Sequence, residues 1–88
     1  RVCSAEVDVA PGRIVYTMML NARGGIEADL TVTRLSATAY LLVVAGAILT
    51  KCLAWLRRHL DADFAVVTDM TAAEAVFCLM GPEAREVL

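Results

Sequence analysis

Asp29 is the residue of this sequence whose position most favours chemistry. It lies in "LNARGGIEADLTVTRL", residues 20–35, between the apolar Ala28 and Leu30 of an alternating run. A positioned carboxylate can accept a proton or stabilise a developing positive charge. Aspartate is uncommon inside strands, which weakly indicates a function at this position. A solvated strand carboxylate is the alternative interpretation, because other polar residues of the run share its face.

Tyr16 is the second candidate, and its relation to Asp29 depends on the turn between them. If Ala22-Arg23 form a two-residue loop, Tyr16 lies directly opposite Asp29 on one face of a hairpin. A three-residue loop with Gly24 in a left-handed conformation would instead place Thr17 opposite Asp29, since one residue of slip reverses the side-chain direction. The residues alone leave both registers open.

The cysteines indicate neither a metal centre nor a nucleophile. Cys3, Cys52 and Cys78 are far apart, with no CxxC pair and no Cys/His spacing typical of zinc sites. Cys52 and His59 are two helical turns apart, and the sequence indicates no third residue that would complete a Cys/His catalytic arrangement with them. We predict reduced, mostly buried thiols in an intracellular compartment and no metal site.

The bulk composition indicates a globular domain with apolar surface to cover. The 88 residues are 59% hydrophobic and 20% charged, with a mean hydropathy of +0.65. A net charge of −2 and a pI near 5.2 disfavour a nucleic-acid partner. The longest apolar run, residues 39–49, is shorter than the roughly 20 residues of a membrane-spanning helix. We expect neither a nucleic-acid nor a membrane partner, and we expect the exposed apolar surface to contact other domains of a longer protein or a second copy.

Periodicity predicts an α+β fold in the order β-β-β-α-β-β-α, with an antiparallel sheet and helices on one face. Ile26, Ala28, Leu30 and Val32 alternate on the buried face of the second strand, and leucines at helical spacing mark an amphipathic helix. The third strand is expected to be more fully buried. The predicted strands are 14–21, 26–35, 38–44, 64–70 and 75–81, and the predicted helices are 47–60 and 81–88.

The segment "GRIVYTMMLNARGGIEADLTVTRL", residues 12–35, resembles the folate-binding region of the aminomethyltransferases, the T-protein of the glycine cleavage system. It resembles even more closely the C-terminal half of the dimethylglycine and sarcosine dehydrogenases. "LAWLRRHL" and "VTDMTAAEAVFCLMGPEAREVL", residues 53–60 and 67–88, fit the same group. The resemblance extends over about residues 7–88.

The resemblance implies that residues 1–88 form a single domain, the second domain of the folate-binding aminomethyltransferase fold, with a ferredoxin-like arrangement. In that family the Asp of the "GGxxxDL" strand approaches the folate and is thought to act as a base or electrostatic stabiliser. This position is Asp29 here. A Tyr thirteen residues earlier also lines the folate site, and this position is Tyr16. The resemblance thus implies that both residues bind tetrahydrofolate and that Asp29 is catalytic.

Departures from the T-protein pattern favour a parent of the dehydrogenase type. Ala45 stands where T-proteins carry an Asn near the folate, and Ala28 where they often carry a second acid. We expect an FAD-dependent parent that passes a one-carbon unit from an N-methylglycine to tetrahydrofolate. The FAD would be bound outside this chain, which has no GxGxxG motif.

Three alternatives remain. The chain could be a piece of a glycine cleavage aminomethyltransferase, or a non-catalytic regulatory subunit on the same scaffold, like the pyruvate dehydrogenase phosphatase regulatory protein. It could also be an α+β interaction module that kept the fold and lost the ligand. The 88 residues alone are expected to be inactive and to dimerise through exposed apolar surface. The expected compartment is the cytoplasm of a bacterium or the mitochondrial matrix of a eukaryote.

Overall fold

A computed structural model describes residues 2–60 and 64–88, and these confirm an α+β domain with an antiparallel sheet. Within them the strands occur in the sheet in chain order, β1-β2-β3. A 3-10 turn, Gly46–Ile48, leads into the long helix α1. The elements are β1 (Ile14–Leu20), β2 (Ile26–Arg34), β3 (Tyr40–Val44), α1 (Leu49–Leu60) and α2 (Ala84–Val87).

One face of the sheet and the apolar stripe of α1 form the core. Ala28, Leu30 and Val32 of β2 are each at most 4% exposed, as their alternation predicts. Cys52 and Leu56 of α1 are buried in the same cluster. The central strand therefore buries one face beneath the helix, as a half-covered antiparallel sheet does.

The N-terminal residues run beside β1 and partner its outer edge. The Ser4 amide donates to the Met18 carbonyl oxygen at 2.9 Å, and Cys3 forms an isolated bridge with Met19. Thr17 is 2% exposed, and its hydroxyl oxygen accepts a hydrogen bond from the Ala5 amide at 3.0 Å. This contact satisfies a buried polar group that would otherwise destabilise the core.

The third strand is more exposed than its apolar sequence predicts. Leu41 and Val43 are 41% and 46% exposed, whereas Leu42 and Val44 are half-buried against the core. The reason is that α1 covers only one face of the sheet. Successive residues of β3 point to opposite faces, so every second apolar side chain remains exposed.

The prediction of strands at residues 64–70 and 75–81 is wrong for the described chain, which has no strand after β3. The ferredoxin-like order is therefore not confirmed. Strand propensity describes a residue that suits a pleated, half-buried surface, but a strand also requires a ladder partner. Phe64 and Phe77 are fully or almost fully exposed and pack into no core. The predicted final helix is also reduced, to the single turn of α2.

Replacement of Leu30 by Ala is expected to destabilise the domain by about 2–5 kcal/mol, because it opens a cavity in the centre of the core. Urea unfolding of the purified chain measures the change. Leu41→Ala is the matched control, since this leucine lies on the uncovered face, and we expect a clearly smaller loss. Equal losses for the two variants would contradict the placement of the core.

Candidate functional site

The structure brings Tyr16 and Asp29 into direct contact. The phenol oxygen of Tyr16 donates a hydrogen bond to Oδ2 of Asp29 at 2.9 Å. Both side chains are solvent-exposed, on the face of the sheet opposite α1. The two residues singled out from the sequence therefore form a pair.

The three-residue loop with Gly24 in a left-handed conformation is confirmed, because Gly24 has a φ of +79° and Leu20 lies opposite Ile26. The residue expected opposite Asp29 is wrong in both registers. Met18 lies opposite Asp29, and Tyr16 lies opposite Thr31. Tyr16 and Asp29 are thus diagonal neighbours on one face. Diagonal residues on neighbouring strands are about 7–8 Å apart, which is within reach of a long aromatic side chain.

A β-bulge at Glu27 produces this register. Leu20 pairs with Ile26, but Met19 pairs with Ala28, so Glu27 has no partner in the ladder. The extra residue also turns the side chain of Ile26 to the opposite face of the sheet. The spacing predicts that Ile26 is buried with Ala28, but it is 61% exposed. Beyond the bulge the alternation of β2 follows the prediction.

Asn21 organises the turn that precedes the bulge. Its side-chain oxygen accepts hydrogen bonds from the amides of Arg23 and Gly25, each at 3.0 Å. Gly24 has a φ of +79°, which favours glycine, and a Cβ on Gly25 would lie 2.8 Å from the side-chain nitrogen of Asn21. The Gly-Gly pair therefore serves this turn.

Glu27 is held from two sides. Its Oε1 accepts a hydrogen bond from Asn21 at 2.8 Å, and its Oε2 lies 2.8 Å from Nζ of Lys51 on α1. The same ammonium donates to the Glu27 carbonyl oxygen at 3.2 Å. The Lys51 contact, followed by the Asn21 hydrogen bond, lowers the pKa of the Glu27 carboxyl below its usual value. The sequence did not point to Lys51, because nothing local marks a partner 24 residues away.

The hydrogen bond to Asp29 raises the pKa of the Tyr16 phenol, and the negative charge of this carboxylate adds to the effect. A phenol with a raised pKa stays protonated at neutral pH and remains a hydrogen-bond donor. The pair therefore presents one carboxylate, oriented by a neutral hydroxyl, to the solvent.

The surface around the pair is apolar. We call this side of the sheet the open face. Its ladder positions alternate with those of the core, and several carry large exposed hydrophobic side chains. These are Ile14, Leu20, Ile26, Leu41 and Val43. The carboxylate of Asp29 is thus available, among these side chains, to a ligand that carries hydrogen-bond donors.

The thiols differ in exposure, and the prediction of mostly buried cysteines holds only in part. Cys52 is buried and Cys3 half-buried, whereas Cys78 is exposed. Burial raises the pKa of both Cys3 and Cys52, which disfavours the reactive thiolate.

Across the described ranges, no group of three His, Cys, Asp or Glu side chains is placed to hold a metal ion. In these same ranges, no helix has the length and apolar character to cross a membrane.

The Glu27 network predicts a pH-dependent contribution to stability. Because the folded-state pKa is lowered, this contribution is fully present above the unfolded-state pKa of about 4.3 and is lost as the pH falls through the folded-state pKa. Glu27→Gln should therefore flatten the fall of the unfolding free energy in this acid range. Urea unfolding at several pH values measures it, with the exposed Glu74→Gln as control. Parallel curves for wild type and Glu27→Gln would contradict the assignment.

Comparison with known proteins places the chain within one family. The GCVT N-terminal domain matches residues 1–88. The chain is 42% identical over 85 residues to "4-methylaminobutanoate oxidase (formaldehyde-forming)" of Paenarthrobacter nicotinovorans, a match that covers 97% of this chain and 10% of that protein. It is 40% identical over 78 residues to an aminomethyltransferase of Geobacillus thermodenitrificans, covering 89% and 21%.

A mouse protein named "Pyruvate dehydrogenase phosphatase regulatory subunit, mitochondrial" is 34% identical over 84 residues, covering 94% of this chain and 10% of its own length. No solved structure matches the chain significantly. The chain thus spans between a tenth and about a fifth of the length of these relatives. Since the family match extends over every residue, the chain belongs to the GCVT N-terminal domain family, the family of the aminomethyltransferases.

Proposed function

We propose that the open face is one wall of a tetrahydrofolate site, and that Asp29 takes part in one-carbon transfer there. The observation that carries the proposal is the Tyr16–Asp29 hydrogen bond, formed on an apolar surface in a domain of the aminomethyltransferase family. Residues 1–88 would act as the folate-binding second domain of a longer parent protein.

The residues of the open face suit a reduced pterin. Leu20 and Ile26 offer apolar contact for a flat ring beside the pair. Asp29 offers carboxylate oxygens to ring N–H groups, and a charged acceptor strengthens such hydrogen bonds. Among the described residues, Asp29 forms no ion pair with a basic side chain, and contacts to the folate tail would come from other domains.

Tetrahydrofolate, when bound, supplies a nitrogen that accepts the one-carbon unit. Asp29 can take up the proton released at that nitrogen, or stabilise positive charge beside it. Tyr16 donates to one oxygen of the carboxylate and thereby fixes its orientation, which leaves the other oxygen for the ligand. On this account Asp29 is the catalytic residue, and both residues bind the folate.

The parent we favour is an FAD-dependent oxidoreductase that demethylates an N-methyl amine of the sarcosine or dimethylglycine type. Support comes from the relative named as a formaldehyde-forming 4-methylaminobutanoate oxidase, whose name describes the oxidation of a methylamino compound. The flavin would be bound outside these 88 residues.

Two other roles of the parent protein are each supported by a named relative. The relatives named aminomethyltransferase favour a parent without an oxidative half. The relative named as a phosphatase regulatory subunit favours a scaffold that acts by protein contact. Folate binding by the parent would contradict the regulatory role, and a bound flavin would distinguish the oxidoreductase from the transferase.

In the parent protein, Asp29→Asn is expected to lower folate-dependent one-carbon transfer by about 10²–10⁴-fold, the range typical of a lost general base. Tyr16→Phe should have a smaller effect in the same direction, because the carboxylate remains. Calorimetric titration with tetrahydrofolate and measurement of methylene-tetrahydrofolate formation test both variants.

Thr38→Ala is a suitable control, because Thr38 is an exposed residue before β3, remote in the ladder from the pair. We expect it to leave folate binding and turnover unchanged. Normal folate binding and normal turnover in both Asp29→Asn and Tyr16→Phe would contradict the proposed site and leave the hairpin as scaffold.

A further inference from the structure

We propose that Glu27 and Lys51 are positioning residues that hold the hairpin in the register in which Tyr16 reaches Asp29. The functional meaning of this proposal rests on the proposed function above, whereas its geometry does not. Neither residue contacts the open-face pair, so they would act only through the bulge and the turn.

The hydrophobic pattern alone does not choose this register. A slip of two residues between β1 and β2 preserves every inward-facing position, because side chains alternate with a period of two. Ala28, Leu30 and Val32 stay in the core whether Tyr16 lies directly opposite Asp29 or diagonal to it. Some other interaction must therefore select between the two arrangements.

The two arrangements differ in what the phenol can reach. In a directly opposite pair, the Cβ atoms are only about 4.5–5.5 Å apart, closer than at diagonal positions. In the observed diagonal pair, the tyrosine oxygen meets Asp29 Oδ2 at 2.9 Å. Diagonal positions, about 7–8 Å apart, are within reach of a long aromatic side chain.

The turn and the bulge select the diagonal register. The Asn21 amide donates to the Gly25 carbonyl oxygen at 2.8 Å, and this bond closes the three-residue loop 22–24. A two-residue loop would instead pair Asn21 with Gly24 and remove that bond. The longer turn brings Leu20 opposite Ile26, and only the extra residue at Glu27 then carries the strands into the observed pairing.

Three contacts hold that extra residue. Lys51 binds both the carboxylate and the backbone carbonyl of Glu27, at 2.8 and 3.2 Å, and Asn21 binds the other carboxylate oxygen at 2.8 Å. A single exposed ion pair contributes little to stability. Here the same lysine also binds the backbone of the bulge, and Asn21 of the turn binds the same carboxylate, so the contacts connect a helix to both.

The test measures the pKa of Tyr16 in the 88-residue chain by a pH titration. The titration is monitored by NMR of ring-labelled tyrosine, and Tyr40→Phe leaves Tyr16 as the one labelled signal. Asp29→Asn defines the pKa of the phenol without its charged partner, and we expect a fall from the raised wild-type value. Lys51→Met should lower the Tyr16 pKa towards that of Asp29→Asn. Lys51→Arg should retain most of the wild-type value.

Arg58→Met is the matched control, a cation-to-methionine change at an exposed position of the same helix. It should leave the Tyr16 pKa unchanged. Glu27→Gln is the milder second variant, in case Lys51→Met does not fold, and it should shift the pKa in the same direction. A folded Lys51→Met or Glu27→Gln chain with the wild-type Tyr16 pKa would overturn the proposal. No folate is present, so this result is independent of whether the domain binds folate.

Discussion

The extra residue in β2 is the constraint on which the site depends. Glu27 occupies no ladder position, and the strand on either side of it follows a different pairing with β1. Because of this offset, Ile26 turns towards the open face while Ala28 enters the core. The same offset places Asp29 diagonal to Tyr16, where a phenol can orient a carboxylate. A local irregularity in one strand thus determines the chemistry available on the sheet.

The two faces of the sheet have separate roles. The core face is covered by α1 and gives the hairpin a rigid support, on which small displacements of the pair are costly. The open face keeps its apolar side chains and its carboxylate exposed, in a domain whose relatives are about four to ten times longer. Lys51 connects the two roles, because it lies on the covering helix and holds the bulge.

The sequence predicted the elements that follow a simple period. The alternation of β2 beyond the bulge and the leucine stripe of α1 are found where expected. Tyr16 and Asp29 meet on one face, although in neither of the two registers considered. The bulge could not be predicted, since it depends on a lysine distant in the chain and on side-chain bonds of Asn21. The prediction of strands after residue 63 was wrong for a different reason. Their apolar residues suit a sheet, but in the described chain these segments pair with no strand.

A crystal structure of the parent protein with a reduced folate bound would test the central claim most directly. The account predicts that the pterin lies on the open face, within hydrogen-bond distance of Asp29, with the phenol of Tyr16 still bonded to that carboxylate. A folate bound elsewhere, with the open face covered by another domain, would contradict it.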